Sequence, residues 1–139
     1  MAYDALVIGG GLAGCSTALQ LARDGHDVLL AEQSTYPRQK LCGEFLSPEA
    51  QSSFRRLSVL NDVHAAGAET IDQARLTTSS GAATSQALPD AALGFSRYQL
   101  DQLLFQKACT TGAEGRPGTR VTDVSGNLQD GFVASVGGD

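Results

Sequence analysis

The first third of the chain alternates between short apolar runs and glycine-containing turns. Asp4–Ile8 is an apolar run, and a Gly-x-Gly-x-x-Gly turn follows it at once. An Ala- and Leu-rich segment with helical character continues to about Asp24, where Gly25 can end it. Val28–Ala31 is a second continuously apolar run, which is typical of a strand buried on both faces. The pattern predicts a strand, a helix and a second strand in a βαβ unit.

The glycines of this turn, Gly9, Gly11 and Gly14, have the spacing of a dinucleotide-binding motif. The first permits a tight turn, the second lets a pyrophosphate approach the backbone, and the third lets the helix lie close to the sheet. Unpaired N–H groups and the helix dipole at the helix start favour phosphate. Glu32 follows Gly14 by 18 positions, near the ~20 expected of a carboxylate that binds ribose hydroxyls. A glycine turn without a ligand is the alternative, but the flanking strands and the acid favour a nucleotide.

The pattern changes after the second strand. Gln33–Phe45 has no periodicity and contains proline and glycine, which predicts a loop. Ser47 precedes a proline and a glutamate, an order typical of a helix start, so we expect a helix over about Pro48–Leu57 with Ser47 as its cap. Val59–Ala66 predicts a second short helix.

The following region favours β structure and then returns to a helix. Thr70–Thr78 and Ala82–Leu88 predict a hairpin that Pro89 interrupts. Ser96 and Gln99 have the spacing of a capping box at the start of a long helix. Further strands are predicted at Ala113–Arg116, Thr119–Ser125 and Gly131–Val136. The predicted core consists of Ala5–Ile8, Ala18, Leu21, Val28–Leu30, Leu100, Leu103, Leu104 and Val121.

Composition narrows the class of protein. The 139 residues suffice for one domain, and a net charge of −5 without a basic stripe argues against a nucleic-acid surface. The three cysteines are odd in number and widely spaced, so we expect no disulfide framework, no metal site and a reducing cytoplasm. His26 and His64 have no clustering partner and are predicted at the surface. No segment has the pattern of a signal peptide or a transmembrane helix.

Three segments resemble known flavoproteins. The first 32 residues resemble the FAD-binding motif of two-dinucleotide-binding-domain flavoproteins. The segment PRQKLCGEFLSPE at residues 37–49 resembles the loop and helix after the second strand of geranylgeranyl reductase-like (FixC-like) flavoproteins. The segment SRYQLDQLL at residues 96–104 is similar to a helix shared by those proteins and the p-hydroxybenzoate hydroxylase-fold monooxygenases. The match is collinear over nearly the whole chain.

We therefore predict an α/β fold in which a Rossmann-like FAD-binding βαβ unit with a parallel sheet carries an added antiparallel β hairpin region. Residues 1–139 would be the N-terminal part of an FAD-binding domain, and residues 68–95 would begin a β-rich insertion on the substrate side. The chain stops directly after an apolar strand, and the later Gly-Asp motif of the family is missing. We therefore expect a truncated chain whose C-terminal half is absent.

The resemblance also implies cofactor contacts. The glycine turn would hold the FAD pyrophosphate, Glu32 the adenosine ribose and Val121 the adenine. Cys42 and its neighbour would approach the flavin, and Arg97 would reach the phosphates or the ribityl chain. The implied FAD-binding residues are Gly9, Gly11, Leu12, Ala13, Gly14, Glu32, Gln33, Cys42, Gly43, Arg97 and Val121.

Several of these residues have an ordinary structural alternative. Cysteine is most often a small buried hydrophobe, so Cys42 could simply pack. Arg38 and Lys40 fit solvated loop charges. Arg97 could pair with Asp101 one helical turn away, a surface contact worth only ~0.3–0.5 kcal/mol. A planar guanidinium suits phosphate oxygens, which favours the cofactor role for Arg97.

The function that the resemblance implies is an FAD-dependent oxidoreductase, acting as a reductase or monooxygenase on an apolar or aromatic organic substrate. NAD(P)H is a possible electron donor. Glu44 and Phe45 stand where family members often have a glycine run, and the sequence identifies no catalytic residue. An NAD-binding dehydrogenase domain and a non-catalytic remnant are the alternatives, because the glycine motif and Glu32 suit NAD equally well.

Overall fold

The computed structural model describes residues 2–137. The predicted boundaries at residues 1 and 139 lie outside the described residues. Eight strands and four helices follow one another in this part of the chain. In chain order they are β1 (Ala5–Ile8), α1 (Leu12–Arg23), β2 (Val28–Glu32), β3 (Phe45–Leu46), α2 (Pro48–Arg56), α3 (Leu60–Ala65), β4 (Glu69–Thr77), β5 (Ala83–Gly94), α4 (Arg97–Thr111), β6 (Glu114–Pro117), β7 (Arg120–Asn127) and β8 (Gly131–Gly137).

The chain forms two compact units. One contains the chain up to Lys40 and from Tyr98 onward, and the other contains Leu41–Arg97. The first unit is built on a parallel sheet in the order β1-β2-β6, with Val7 opposite Leu30 in the register. Together with the antiparallel strands of the second unit, this sheet confirms the predicted α/β class with an added antiparallel region.

The core of the first unit follows the middle strand of this sheet. Val28 and Leu30 of β2 are buried, and β2 has a neighbour on each side. Leu29, also predicted as core, is only partly buried. The prediction that β1 is core was wrong, because residues 5–7 are only partly buried and Ile8 is 55% exposed. Ile8 ends an edge strand that has only β2 as a neighbour among residues 2–137.

The helices bury narrower stripes than the sequence suggests. In α1 the buried residues are Cys15, Ala18 and Leu19, which lie three and four positions apart on one face. Leu21 falls beside that face and is only partly buried. In α4 the buried residues are Leu100, Asp101, Leu104, Phe105 and Ala108, and Leu103 lies at the border of this stripe. The predictions of Leu21 and Leu103 as core were therefore wrong, because each lies beside the buried face.

The last two strands, β7 and β8, pair with each other as an antiparallel hairpin. Val121 of β7 lies opposite Val136 of β8, and the register shifts between Val121 and Asp123. The side chain of Val121 is partly buried, less than predicted for a core residue. The hairpin confirms the two predicted strands in this region.

The second unit contains an antiparallel sheet in the order β3-β5-β4. The prediction that Pro89 ends the return strand was wrong, because β5 continues through it to Gly94. Gln73 pairs with Ala87 and Ile71 pairs with Ala92, so the extra residues of β5 bulge out opposite β4. A proline has no N–H to donate and is tolerated in such a bulge.

Both short helices of the second unit lie where the sequence predicts them. Ser47 occupies the N-cap position of α2, but its hydroxyl makes no capping hydrogen bond, contrary to expectation. Phe54, Val59 and Val63 are buried. Among residues 2–137, no helix combines the length and apolar character needed to span a membrane, and no cluster of His, Cys, Asp or Glu has the arrangement of a metal site.

Candidate functional site

The glycine turn between β1 and α1 is the centre of the candidate site. Gly9 has a positive φ of +101°, and its N–H donates to the carbonyl of Ala31 in β2 at 2.8 Å. A Cβ added to Gly14 would overlap the carbonyl oxygen of Gly9 and lie 3.0 Å from its carbonyl carbon. Helix α1 therefore approaches the turn as closely as it does because position 14 has no side chain.

The start of α1 presents unpaired backbone donors. Gly11 is the N-cap residue with φ −83° and ψ −169°, and no side chain caps the helix. The first turn contains no acidic residue. The first N–H groups of a helix have no partner within it, and the helix dipole adds partial positive charge there. Leu12 and Gly14 are partly exposed and Ala13 is exposed, so this helix start fits the pyrophosphate of a dinucleotide.

Glu32 lies at the end of β2 with its carboxylate beside the glycine turn. The residue is only 3% exposed. Its Oε2 accepts the Gly10 N–H at 2.7 Å, and its Oε1 accepts the Ser34 N–H at 2.8 Å and Nη1 of Arg38 at 2.8 Å. A carboxylate has about four acceptor positions, and these three hydrogen bonds from within residues 2–137 leave one of them on Oε2. The Ser34 side chain also interacts with the carboxylate. The carboxylate thus fits a ribose hydroxyl as a further donor.

The protonation of Glu32 follows from the same contacts. Burial by itself raises the pKa of this carboxyl group. The N–H donors of Ser34 and Gly10 and the charge of Arg38 outweigh that effect and lower the pKa below its ordinary value. Glu32 is therefore an anion near neutral pH, ready to accept hydrogen bonds.

The interpretation of Arg38 as a solvated loop charge was wrong. Its side chain is 12% exposed, and its Nη2 lies 3.7 Å from Oδ2 of Asp101, which is fully buried. The guanidinium carbon lies 5.3 Å from the ring centroid of Tyr36. Burial follows because two carboxylates and an aromatic face surround the guanidinium. Lys40 is exposed, as expected of a loop lysine.

Two side chains form hydrogen bonds to the backbone of the glycine turn. The Tyr36 hydroxyl and the Cys15 thiol both donate to the carbonyl of Gly10, the thiol at 3.3 Å. The Tyr36 ring lies 4.5 Å from the ring of Phe105 in α4. A Cβ at Gly10 would overlap the Tyr36 hydroxyl. These contacts restrain the backbone of the glycine turn at Gly10.

The sequence reasoning does not single out Gly10, Tyr36 or Arg38 as part of this site. One signal was present: Asp101 lies within the apolar stripe of α4, where a buried carboxylate requires a partner. The identity of that partner depends on the path of the loop, which leaves no periodic pattern in the sequence.

Two further residues of the first unit that are implied in FAD binding, Gln33 and Val121, lie near the end of β2. Gln33 is exposed and directly follows β2. The Thr119 N–H donates to the backbone carbonyl of Glu32 at 2.8 Å, which brings the start of β7 beside the end of β2. Val121 follows two residues later in β7. Thus the turn, Glu32 and the beginning of β7 come together.

The remaining residues implied in FAD binding belong to the second unit. Cys42 is exposed, which excludes the alternative of a small buried hydrophobe; its sulfur accepts the Glu44 N–H at 3.3 Å. A Cβ at Gly43 would meet no atom within 4 Å. Arg97 is half-buried and is the first residue of α4.

Comparisons with known proteins point to flavoproteins. The profile of the family "FAD dependent oxidoreductase" matches residues 4–40, which contain the glycine turn and Glu32. The chain is 30% identical over 131 residues to a menaquinone reductase of Mycolicibacterium smegmatis, covering 88% of this chain and 30% of the reductase. It is 31% identical over 131 residues to an uncharacterized protein in the nifH2 5′ region of Methanosarcina barkeri, covering 89% of this chain and 69% of that protein.

A solved structure agrees in fold. The crystal structure of CmlS, a flavin-dependent halogenase, superimposes with a TM-score of 0.80 at 30% identity. The superposition covers 98% of this chain and 26% of the halogenase chain. The chain thus spans about a third or less of the reductase and the halogenase that it resembles.

Proposed function

This chain belongs to the superfamily of FAD-binding oxidoreductases, and we propose that it forms the FAD-binding portion of a flavin-dependent oxidoreductase acting on an apolar or aromatic organic substrate. The observation that carries the proposal is the pairing of an uncapped helix start with a buried, ionised carboxylate that retains one acceptor position. The similarity to a menaquinone reductase, whose name gives a quinone as its substrate, supports an apolar or aromatic organic compound as the substrate class.

In this proposal the chain binds and orients the adenosine diphosphate half of FAD. The backbone N–H groups of Leu12, Ala13 and Gly14 donate to the pyrophosphate, with Gly9 and Gly11 shaping the turn. When bound, FAD supplies the redox chemistry at its flavin ring.

Glu32 completes the adenosine side of the proposed site. Its Oε2 accepts a ribose hydroxyl in the remaining acceptor position, and its charge disfavours a 2′-phosphate. Gln33 and Val121 flank the adenosine, supported by the approach of β7 to the end of β2 at Thr119.

We assign Cys42 and Gly43 to the flavin side and Arg97 to the phosphates or ribityl chain. The exposure of Cys42 and the open space at Gly43 support accessibility to a ligand. The strands β4 and β5 lie within residues 68–95, the proposed start of a substrate-side region.

Finer features of the protein are also proposed. The segments at residues 37–49 and 96–104 support a geranylgeranyl reductase-like or monooxygenase type, with NAD(P)H as the electron donor. A reducing cytoplasm is proposed as the location from the odd number and wide spacing of the cysteines Cys15, Cys42 and Cys109 in the sequence.

Nucleotide titration tests the proposed function. We expect FAD and ADP to compete for one site in a titration followed by NMR, whereas FMN, which has no adenosine, does not compete. An equilibrium titration measures the affinity directly and is therefore preferred to co-purification.

Matched variants make this test specific. Gly11→Val should abolish ADP binding, and Glu32→Gln should weaken it by about tenfold or more, the loss of one charged hydrogen bond. Glu69→Gln is the control, since Glu69 is an exposed carboxylate at the start of β4. Undisturbed ADP binding in both site variants would refute the proposal. Preferential binding of NAD over FAD would instead favour a dehydrogenase domain.

A further inference from the structure

We infer that Arg38 is a positioning residue that holds the Glu32 carboxylate with Oε2 as its ribose acceptor, and that Asp101 of α4 anchors Arg38 in turn. The inference rests on the proposed function, because it concerns how the same site recognises an adenosine ribose. It deepens that proposal by naming two residues outside the glycine motif and by linking the loop after β2 to a buried carboxylate of α4.

The hydrogen bonds of Glu32 show how the positioning works. Oε1 receives two donors, the Ser34 N–H and Nη1 of Arg38, each at 2.8 Å. Both acceptor positions of that oxygen are then used. Among the donors within residues 2–137, the Gly10 N–H is the one that bonds Oε2, while the Ser34 side chain also interacts with the carboxylate. By occupying Oε1, Arg38 directs an incoming ribose hydroxyl to Oε2.

The guanidinium is itself held on two further sides. Asp101 lies 3.7 Å from Nη2 and has no solvent exposure, so it cannot move away without leaving a buried charge. The face of the Tyr36 ring, 5.3 Å from the guanidinium carbon, adds a cation–π contact. Tyr36 also donates to the carbonyl of Gly10, so the loop that carries Arg38 is tied to the glycine turn.

The charges indicate that this cluster orients Glu32, because apolar residues of similar volume would commonly stabilise a fold as much as a buried ion pair does. Two buried carboxylates share one guanidinium, and within residues 2–137 no acceptor reaches the buried Nε of Arg38. An unsatisfied buried donor destabilises a fold, and buried ion pairs are commonly no more stabilising than apolar residues of similar volume. A charged cluster with an orphan donor is better explained by the orientation it imposes on Glu32.

The test compares two nucleotides that differ only in the ribose. Wild-type protein is titrated with ADP and with 2′,3′-dideoxy-ADP, and the ratio of the two affinities measures recognition of the ribose hydroxyls. We expect a ratio of about ten or more for the wild type, as one charged hydrogen bond gives. Arg38→Met should bring the ratio close to one, and Arg38→Lys should restore part of it, because an ammonium group can bond one carboxylate but does not span two.

Controls separate positioning from folding. Arg75→Met removes an exposed arginine of β4 and should leave the ratio unchanged. If Arg38→Met does not fold, the double variant with Asp101→Asn, which also removes the charge of this buried carboxylate, is titrated in its place. A merely structural role of Arg38 would lower the melting temperature while the ratio stayed at its wild-type value.

The outcomes distinguish the two proposals. A wild-type ratio in Arg38→Met, or in the double variant, overturns the inference while leaving the proposed function intact. Failure of the wild type to bind ADP overturns the proposed function and the inference with it. A ratio near one in the wild type likewise overturns both the ribose role of Glu32 and the positioning role of Arg38.

Discussion

Replacing Gly14 with alanine should destabilise the first unit strongly, although the change adds one methyl group. The added Cβ would overlap the carbonyl oxygen of Gly9 and lie 3.0 Å from its carbonyl carbon and 3.4 Å from Cγ1 of Val7. Backbone atoms lie on both sides of this contact, so no side-chain rotation relieves it. Helix α1, which buries Cys15 and Leu19, must move away from the turn as a whole.

The magnitude follows from that displacement. Forcing one extra methyl group into a packed site costs typically ~1–3 kcal/mol, and a clash between backbone segments belongs at the upper end. With a urea m-value of about 2 kcal/mol/M, a loss of ~3 kcal/mol lowers the unfolding midpoint by about 1.5 M. A domain of ordinary stability, about 5–15 kcal/mol, still folds after this loss.

The assay is urea unfolding followed by circular dichroism, with Gly43→Ala as the matched control. An alanine Cβ at Gly43 would meet no atom within 4 Å, so its midpoint should stay close to that of the wild type. The reasoning is refuted if Gly14→Ala and Gly43→Ala unfold at the same urea concentration with the same m-value. That result would mean that α1 shifts without losing its packing.

Two further predictions concern titratable groups. The pKa of the Glu32 carboxyl group is lowered in the folded state. Its ionised form therefore stabilises the fold at pH values above the ordinary carboxyl pKa of about 4.3. This stabilisation is lost as the pH falls through the lower pKa of the folded state. Urea midpoints measured between about pH 6 and pH 3 should therefore fall less steeply in Glu32→Gln, and equal slopes would contradict the assignment. Burial raises the pKa of the Cys15 thiol to about 12, whereas Cys42 is exposed. A thiol reagent should accordingly modify Cys42 in the native protein and Cys15 only after unfolding, and rapid labelling of a Cys42→Ser variant at Cys15 would show that the burial is wrong.

Local sequence patterns determined most of the secondary structure. The βαβ order, the glycine turn and the position of Glu32 follow from apolar runs and fixed spacings, which act over only a few residues. Strand β5 is an element that local sequence patterns did not predict correctly. Its proline at position 89 predicts a break, yet the strand continues because the pairing with β4 shifts register there. A bulge depends on two strands at once, so the sequence of one strand does not reveal it.

Burial along the elements was only partly predictable. The apolar character of β1 predicts a fully buried strand, but β1 lies at a sheet edge in the described part of the chain, and its first three residues are partly buried while Ile8 is exposed. Leu103 has helical spacing but lies at the border of the buried face of α4. Hydrophobicity shows which residues can be buried, and the neighbouring elements decide which of them are.

The candidate site also has features that the sequence predicts and features that only the folded structure shows. The sequence by itself determined the uncapped helix start and the acid at the end of β2, because both depend on short spacings within one βαβ unit. Only the tertiary structure showed that Arg38 reaches Glu32 and Asp101, residues that lie 6 and 63 positions away from it in the chain. Charged side chains in a loop have no periodic pattern, so their burial depends on the carboxylates that the folded chain places beside them.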